Sequence, residues 1–157
     1  LAHQENIDMK DCFRVFKTEF LPSFRKKQAH LKLEFKAHNP VAFYNKNALK
    51  RVLTNLIGNA LKFIPEKTGE IILRIESNNK NFWKITVQDN GPGISKEDQN
   101  KIFKKFGMVE ASKNHTTGGT GLGLTIAKAI IEKNSGKIWL ASEEKKGCAF
   151  IFTIPKG

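Results

Sequence analysis

Between Asn45 or Lys46 and about Phe63, the apolar residues Leu49, Val52, Leu53, Leu56, Ile57 and Ala60 recur at three- and four-residue spacing. That period commits the stretch to a helix with one buried face, closed by Pro65 and Gly69. Such a helix must lie against a partner layer, and the flanking sequence offers strands. Leu31, Leu33 and Phe35 alternate with Lys32, Glu34 and Lys36, and Val41 to Tyr44 reads as a further short strand. Ile71 to Ser77 and Phe82 to Gln88 form a hairpin around a polar turn, with Trp83, Ile85 and Val87 on one face.

Two more helices complete the pattern. Asp8 is placed to cap one whose apolar positions are Met9, Cys12, Phe13, Phe16, Phe20 and Phe24, with Pro22 expected to end or kink it. Leu122, Leu124, Ile126, Ala127, Ile130 and Ile131 define the other, which stops at Gly136. A short helix capped by Ser95 leads to the apolar pair Phe103 and Phe106, and residues 107–118 are polar and aperiodic. Strands Lys137 to Ser142 and Cys148 to Ile154, joined by the turn Glu143 to Gly147, close the chain. The expected fold is α/β (α+β), a two-layer sandwich with a mixed sheet covered on one face by about three helices. Residues 1–7 carry little pattern.

With 157 residues, 39% of them hydrophobic, the chain supports one packed domain and no second. No apolar run reaches membrane-spanning length. Cys12 and Cys148 fall on apolar faces and read as buried free thiols. The formal charge of +12 suits an anionic partner. The basic residues are spread along the chain without a groove-reading motif, so they read as a general basic surface, which would also attract a polyphosphate ligand.

Three constellations carry chemistry. Asn55, Asn59 and Lys62 are spaced four and three apart, a polar stripe beside the apolar face of the long helix. A carboxamide oxygen is a hard ligand suited to magnesium, and a lysine one turn away neutralises phosphate charge. Asp89-Asn90-Gly91-Pro92-Gly93-Ile94 follows a strand directly. Its glycines allow close backbone approach. Asp89, on the inward side of the register, needs a donor such as an adenine amine. Gly118-Gly119-Thr120-Gly121-Leu122-Gly123-Leu124 enters a helix, where amides and the dipole favour phosphate. It is not a Walker loop, because Leu124 stands where Lys would follow the last glycine. Nor is it a dinucleotide fingerprint, because a polar loop and not a strand precedes it.

Taken together these residues resemble the histidine kinases and their relatives with the Bergerat ATP-binding fold. Val52 to Phe63 is similar to the family's N box, Asp89 to Ile94 to its first glycine box, Ile102 to Phe106 to its F box, and Gly119 to Leu124 to its second glycine box. The boxes stand in family order, and the resemblance runs from about Ile7 to Pro155.

The resemblance implies a site. Asn59 coordinates magnesium, Lys62 contacts phosphate, and Asp89 holds the adenine amine. Gly91, Gly93 and Ile94 border the base with Phe63 and Phe106 nearby, and Gly119, Thr120, Gly121, Leu122, Gly123 and Leu124 cradle the phosphates. The segment between Phe106 and Gly118 corresponds to the ATP lid. Position 55 is a glutamate general base in the ATP-hydrolysing relatives; Asn55 cannot activate water strongly, which points to a kinase. The implied activity is transfer of the γ-phosphoryl group of magnesium-bound ATP to a histidine, in two-component signal transduction.

Two departures stand out. Gly107 and Met108 follow Phe106 where many members carry Arg, leaving Lys105 or Lys113 as substitutes. His3, His30, His38 and His115 all lack the phosphoacceptor neighbourhood. The acceptor is therefore expected on a separate helical dimerisation domain of a homodimeric parent. On that reading residues 1–7 are a linker remnant and 8–157 a monomeric catalytic domain. A response regulator is the implied downstream partner, and the expected location is cytoplasmic, whether or not the parent is membrane-anchored. The rival readings are an anti-sigma-factor-type serine kinase on the same fold and a basic nucleic-acid-binding module.

Overall fold

Asp8 starts the first helix by accepting the amides of Lys10 and Asp11 at 3.0 and 3.2 Å. The structure, a computed structural model, describes residues 3–102, 122–142 and 146–157. Helix α1 (Met9–Lys27) buries Met9, Phe13, Phe16 and Phe24. It runs through Pro22, which lies on the exposed side together with Thr18, whose carbonyl loses its partner to the proline. On that side the carbonyl is open to solvent, so the proline does not stop the helix. The stop comes at Gln28, left-handed at φ 57, with Ala29 N–H donating back to the Phe24 carbonyl.

Strand β1 (Glu5–Asp8) pairs antiparallel with β3 (Val41–Tyr44), and Ile7 is buried. The packed body therefore includes residues ahead of Asp8. A four-residue strand with one buried side chain leaves no period to read.

The main sheet has the order β2-β4-β5-β7-β6, formed by His30–Phe35, Glu70–Ser77, Phe82–Asp89, Cys148–Pro155 and Ile138–Ser142. The β2–β4 pair is parallel and the rest antiparallel, which makes the sheet mixed as expected. Register puts Leu33, Leu73, Val87, Phe150 and Leu140 in one cross-strand row. The next row is Phe35, Ile75, Ile85, Phe152 and Ile138. Against these rows pack α1, α2 (Lys46–Phe63) and α4 (Leu122–Lys133), on one face of the sheet. The opposite face carries polar partners such as the Arg74–Glu34 ion pair at 2.7 Å. Helix α3 (Lys96–Gln99) is one turn, capped by Ser95 accepting from Asp98. Both cysteines are free, Cys12 half-buried and Cys148 buried.

Gly147, between β6 and β7, has φ +92, and a Cβ there would run into the backbone carbonyl of Asp89. Gly147→Ala is expected to lower the unfolding free energy by about 2 kcal/mol or more. A urea titration of both proteins checks this, and an unchanged midpoint would contradict it.

Candidate functional site

Asn45 caps α2 by accepting the amide of Ala48 at 2.8 Å. The helix buries Leu49, Val52, Leu53, Leu56, Ile57 and Ala60. That burial turns the neighbouring stripe toward the edge of the layer, with Asn55 and Asn59 half-buried and Lys62 exposed. Asn55 is the anomaly. Its Nδ2 is shielded from solvent and has no hydrogen-bond partner among the described residues. Such an orphan ordinarily costs about 1–3 kcal/mol.

Gly123 lies over that carboxamide; a Cβ on it would sit 3.5 Å from Asn55 Oδ1. Because Gly123 is the second residue of α4, the amide-rich first turn of that helix comes down on the Asn55 end of the stripe. No acidic side chain occupies this turn.

At the C-terminal end of α2 lies the Asp89 loop. Asp89, the last residue of β5, accepts the Gly91 N–H at 2.8 Å. Burial pushes its carboxyl up to about 6, against the lowering effect of the Gly91 and Cys148 amides. Gly91 is wedged: a Cβ there would lie 3.0 Å from Asp89 Oδ1 and 3.2 Å from the Phe63 carbonyl oxygen. The loop thus rests on the last residue of α2. Gly93 turns it with φ 78.

Anchors hold the loop from several sides. Asn90 accepts the Glu70 amide and donates to the Thr68 carbonyl, each at 2.8 Å. The Ile94 N–H donates to Ser142 Oγ, and Ser142 Oγ donates to the Gly147 carbonyl, again at 2.8 Å. Gln99 Nε2 donates to the Ile94 carbonyl at 2.7 Å.

The fold therefore gathers Asn55, Asn59, Lys62, Phe63, Asp89, Gly91 and Gly123 along one helix. Leu124 is buried in the core, which leaves its backbone as the part that can meet a ligand, and Ile94 packs partly against the same core. Phe106, Gly119, Thr120 and Gly121 lie outside the described residues, as do Phe103, Lys105, Lys113, His115 and the segment 107–118. Sequence reasoning missed Ser142 and the Cys148 amide. A serine at a strand end and a main-chain donor leave no signal until the strands are assembled.

Comparisons agree with this geometry. The family described as histidine kinase-, DNA gyrase B-, and HSP90-like ATPase matches residues 44–157. The sensor histidine kinase WalK of Bacillus subtilis is 40% identical over 112 residues, 71% of this chain and 18% of that protein. The adaptive-response sensory kinase SasA of Prochlorococcus marinus is 30% identical over 156 residues, 99% of this chain and 41% of that protein. The chain thus spans well under half the length of these relatives. Among solved structures, a nucleotide-free catalytic domain of histidine kinase ThkA is 31% identical, covers 99% of each chain and superposes with a TM-score of 0.83. The same kinase in complex with the response regulator protein TrrA is 28% identical, with 98% of this chain and 42% of that chain covered, at a TM-score of 0.80. With the Bergerat architecture and the family pattern both in place, this chain belongs to the histidine kinase-, DNA gyrase B- and HSP90-like ATPases.

Proposed function

We propose that this domain binds ATP with magnesium along α2 and delivers the γ-phosphoryl group to a histidine on a separate helical domain. The observation that carries the reading is the Asn55 carboxamide, shielded, half-unsatisfied and facing Gly123 at the start of α4. A buried polar group without a partner, beside a helix N-terminus, suits an anionic ligand that brings its own acceptors.

The donor set fits magnesium. Asn59 offers a neutral oxygen next to that gap, and magnesium takes few protein ligands when phosphate oxygens and waters supply the rest. When bound, the ion neutralises charge on the phosphates during transfer. In this reading Lys62 contacts phosphate, and the amides of Gly119, Thr120, Gly121, Leu122, Gly123 and Leu124 cradle it. Asp89 accepts from the adenine amino group, with Gly91, Gly93, Ile94, Phe63 and Phe106 bordering the base. The hydrogen bond from the Gly91 amide to Asp89 supports a role in reading a base edge, because an orienting acceptor must not swing.

Asn55 has no carboxylate with which to activate water, so ATP is preserved for a nucleophile brought from outside. That nucleophile is an imidazole nitrogen, whose new bond to phosphorus forms as the bond to the departing ADP breaks. The acceptor histidine and the dimerisation helices belong to the parent chain outside this domain, the parent being a homodimer. The kinase relatives and the ThkA–TrrA complex support a response regulator as the downstream partner. No helix among the described residues is long and apolar enough to cross a membrane. The reading puts this domain in the cytoplasm.

Asn59→Ala is expected to weaken magnesium-dependent binding of a non-hydrolysable ATP analogue by about tenfold, roughly 1.4 kcal/mol. Calorimetric titration with and without magnesium is the measurement, and equal affinities in the two proteins would refute the assignment.

Asp89 generates a second expectation, with opposite signs for stability and binding. Folding raises its pKa to about 6, so the folded chain takes up a proton more readily than the unfolded one. This group's contribution to stability is therefore greatest at low pH. It declines by roughly 3 kcal/mol as pH rises from about 4 to about 6. Adenine nucleotide affinity should rise over the same interval, as the carboxylate ionises. Asp89→Asn removes both slopes and weakens binding at neutral pH; difference curves of stability and affinity against pH that stay flat in the parent chain would overturn this.

A further inference from the structure

Pro65 decides how α2 ends. A residue ahead of proline is driven out of the helical region, and Ile64 is extended at φ −71 and ψ 150. α2 therefore lacks the left-handed cap that closes α1 at Gln28. The Ala60 carbonyl still accepts the Ile64 amide at 3.2 Å. The Leu61 carbonyl would ordinarily be served by the amide of residue 65, and proline has none.

Lys27 supplies the missing donor. Its Nζ lies 2.6 Å from the Leu61 carbonyl oxygen and 3.2 Å from that of Lys62. Lys27 is the last residue of α1, and its own carbonyl accepts the Lys67 N–H at 3.1 Å. One residue thus grips the end of α2 with its side chain and the following turn with its backbone. On both sides of the joint the chain adopts left-handed conformations without glycine, at Gln28 (φ 57) and Lys67 (φ 69). Such backbone persists only where its surroundings enforce it.

We propose that Lys27 is a positioning residue for the phosphate side of the nucleotide site: by capping α2 it holds the last turn, which carries Lys62 and Phe63, against the Asp89–Ile94 loop. The inference rests on the function proposed above. Helix ends fray unless their terminal groups are satisfied, and here the fraying turn is the one whose Phe63 carbonyl meets Gly91. A loosened turn would let Lys62 wander while leaving the Asp89 carboxylate on its Gly91 and Cys148 amides.

The test compares Lys27→Met, which keeps the stem without donors, with Lys27→Arg. Burial lowers the Lys27 pKa from its ordinary value, and Arg keeps a permanent charge with donors in reach. Affinities for magnesium-ATP and for adenosine are measured by calorimetry well below the unfolding temperature. Hydrogen exchange at the Phe63 and Ile64 amides is followed in parallel. Lys27→Met is expected to bind magnesium-ATP about three- to tenfold more weakly, with a smaller loss for adenosine and exchange at the two amides faster. Lys27→Arg should restore all three. Parent-like magnesium-ATP affinity in folded Lys27→Met overturns the proposal, as does an equal loss for adenosine. Should Lys27→Met fail to fold, Lys27→Leu, without donors, takes its place under the same criteria. A parent chain that binds no magnesium-ATP removes the functional reading itself, and this inference with it.

Discussion

Burial of one face of α2 sets everything else. Leu49, Val52, Leu53, Leu56, Ile57 and Ala60 are all but inaccessible to water, which fixes the rotation of the helix about its axis. At 3.6 residues per turn the neighbouring stripe has no freedom left, so Asn55, Asn59 and Lys62 must run along the edge of the layer. The first turn of α4 and the Asp89 loop then meet that edge at different heights, one at Gly123 and the other at Gly91. At Gly91 a side chain would crowd the space the approach requires, whereas at Gly123 a Cβ would stand in ordinary contact with Asn55.

Asp89 illustrates a tension between holding a group and stabilising a fold. Its carboxylate sits in surroundings that favour the neutral form, so at neutral pH the ionised state is a cost to the folded chain. Two backbone amides offset part of that cost and also fix the carboxylate's direction. The neighbouring Cys148 thiol feels the same burial together with the Asp89 charge, and its pKa is pushed up to about 12. It therefore remains a neutral wall. Strained or costly groups of this kind are expected where a fold serves a ligand, not only itself.

Much of this was legible in the sequence, and the illegible parts share a cause. Helix α2, the hairpin of β4 and β5, and the closing strands follow from periodicities that a single segment contains. The stripe and the Asp89 turn were readable because asparagine mid-helix and aspartate at an inward strand position are locally uncomfortable. β1 was not readable, because its four residues gain their pairing from β3, far along the chain. The passage of α1 through Pro22 depends on which side of the helix faces water. The anchoring of Ile94 by Ser142 and the capping of α2 by Lys27 are meetings of segments 48 and 34 residues apart. Local pattern carries no trace of them.

Those long separations have a consequence for how the site relates to stability. The Asp89–Ile94 loop is held by residues at the ends of β6 and β7, and the last turn of α2 by the end of α1. No contiguous segment contains either arrangement. Each comes into being only when the sheet is paired from β2 to β6 and α1 is docked. A ligand that engages both ends of the stripe would therefore draw on the cooperative folding of the whole domain, and its binding energy would appear as global stabilisation. The stripe alone, as an isolated helix, would present the same three side chains and lack both glycine contacts that give the site its shape.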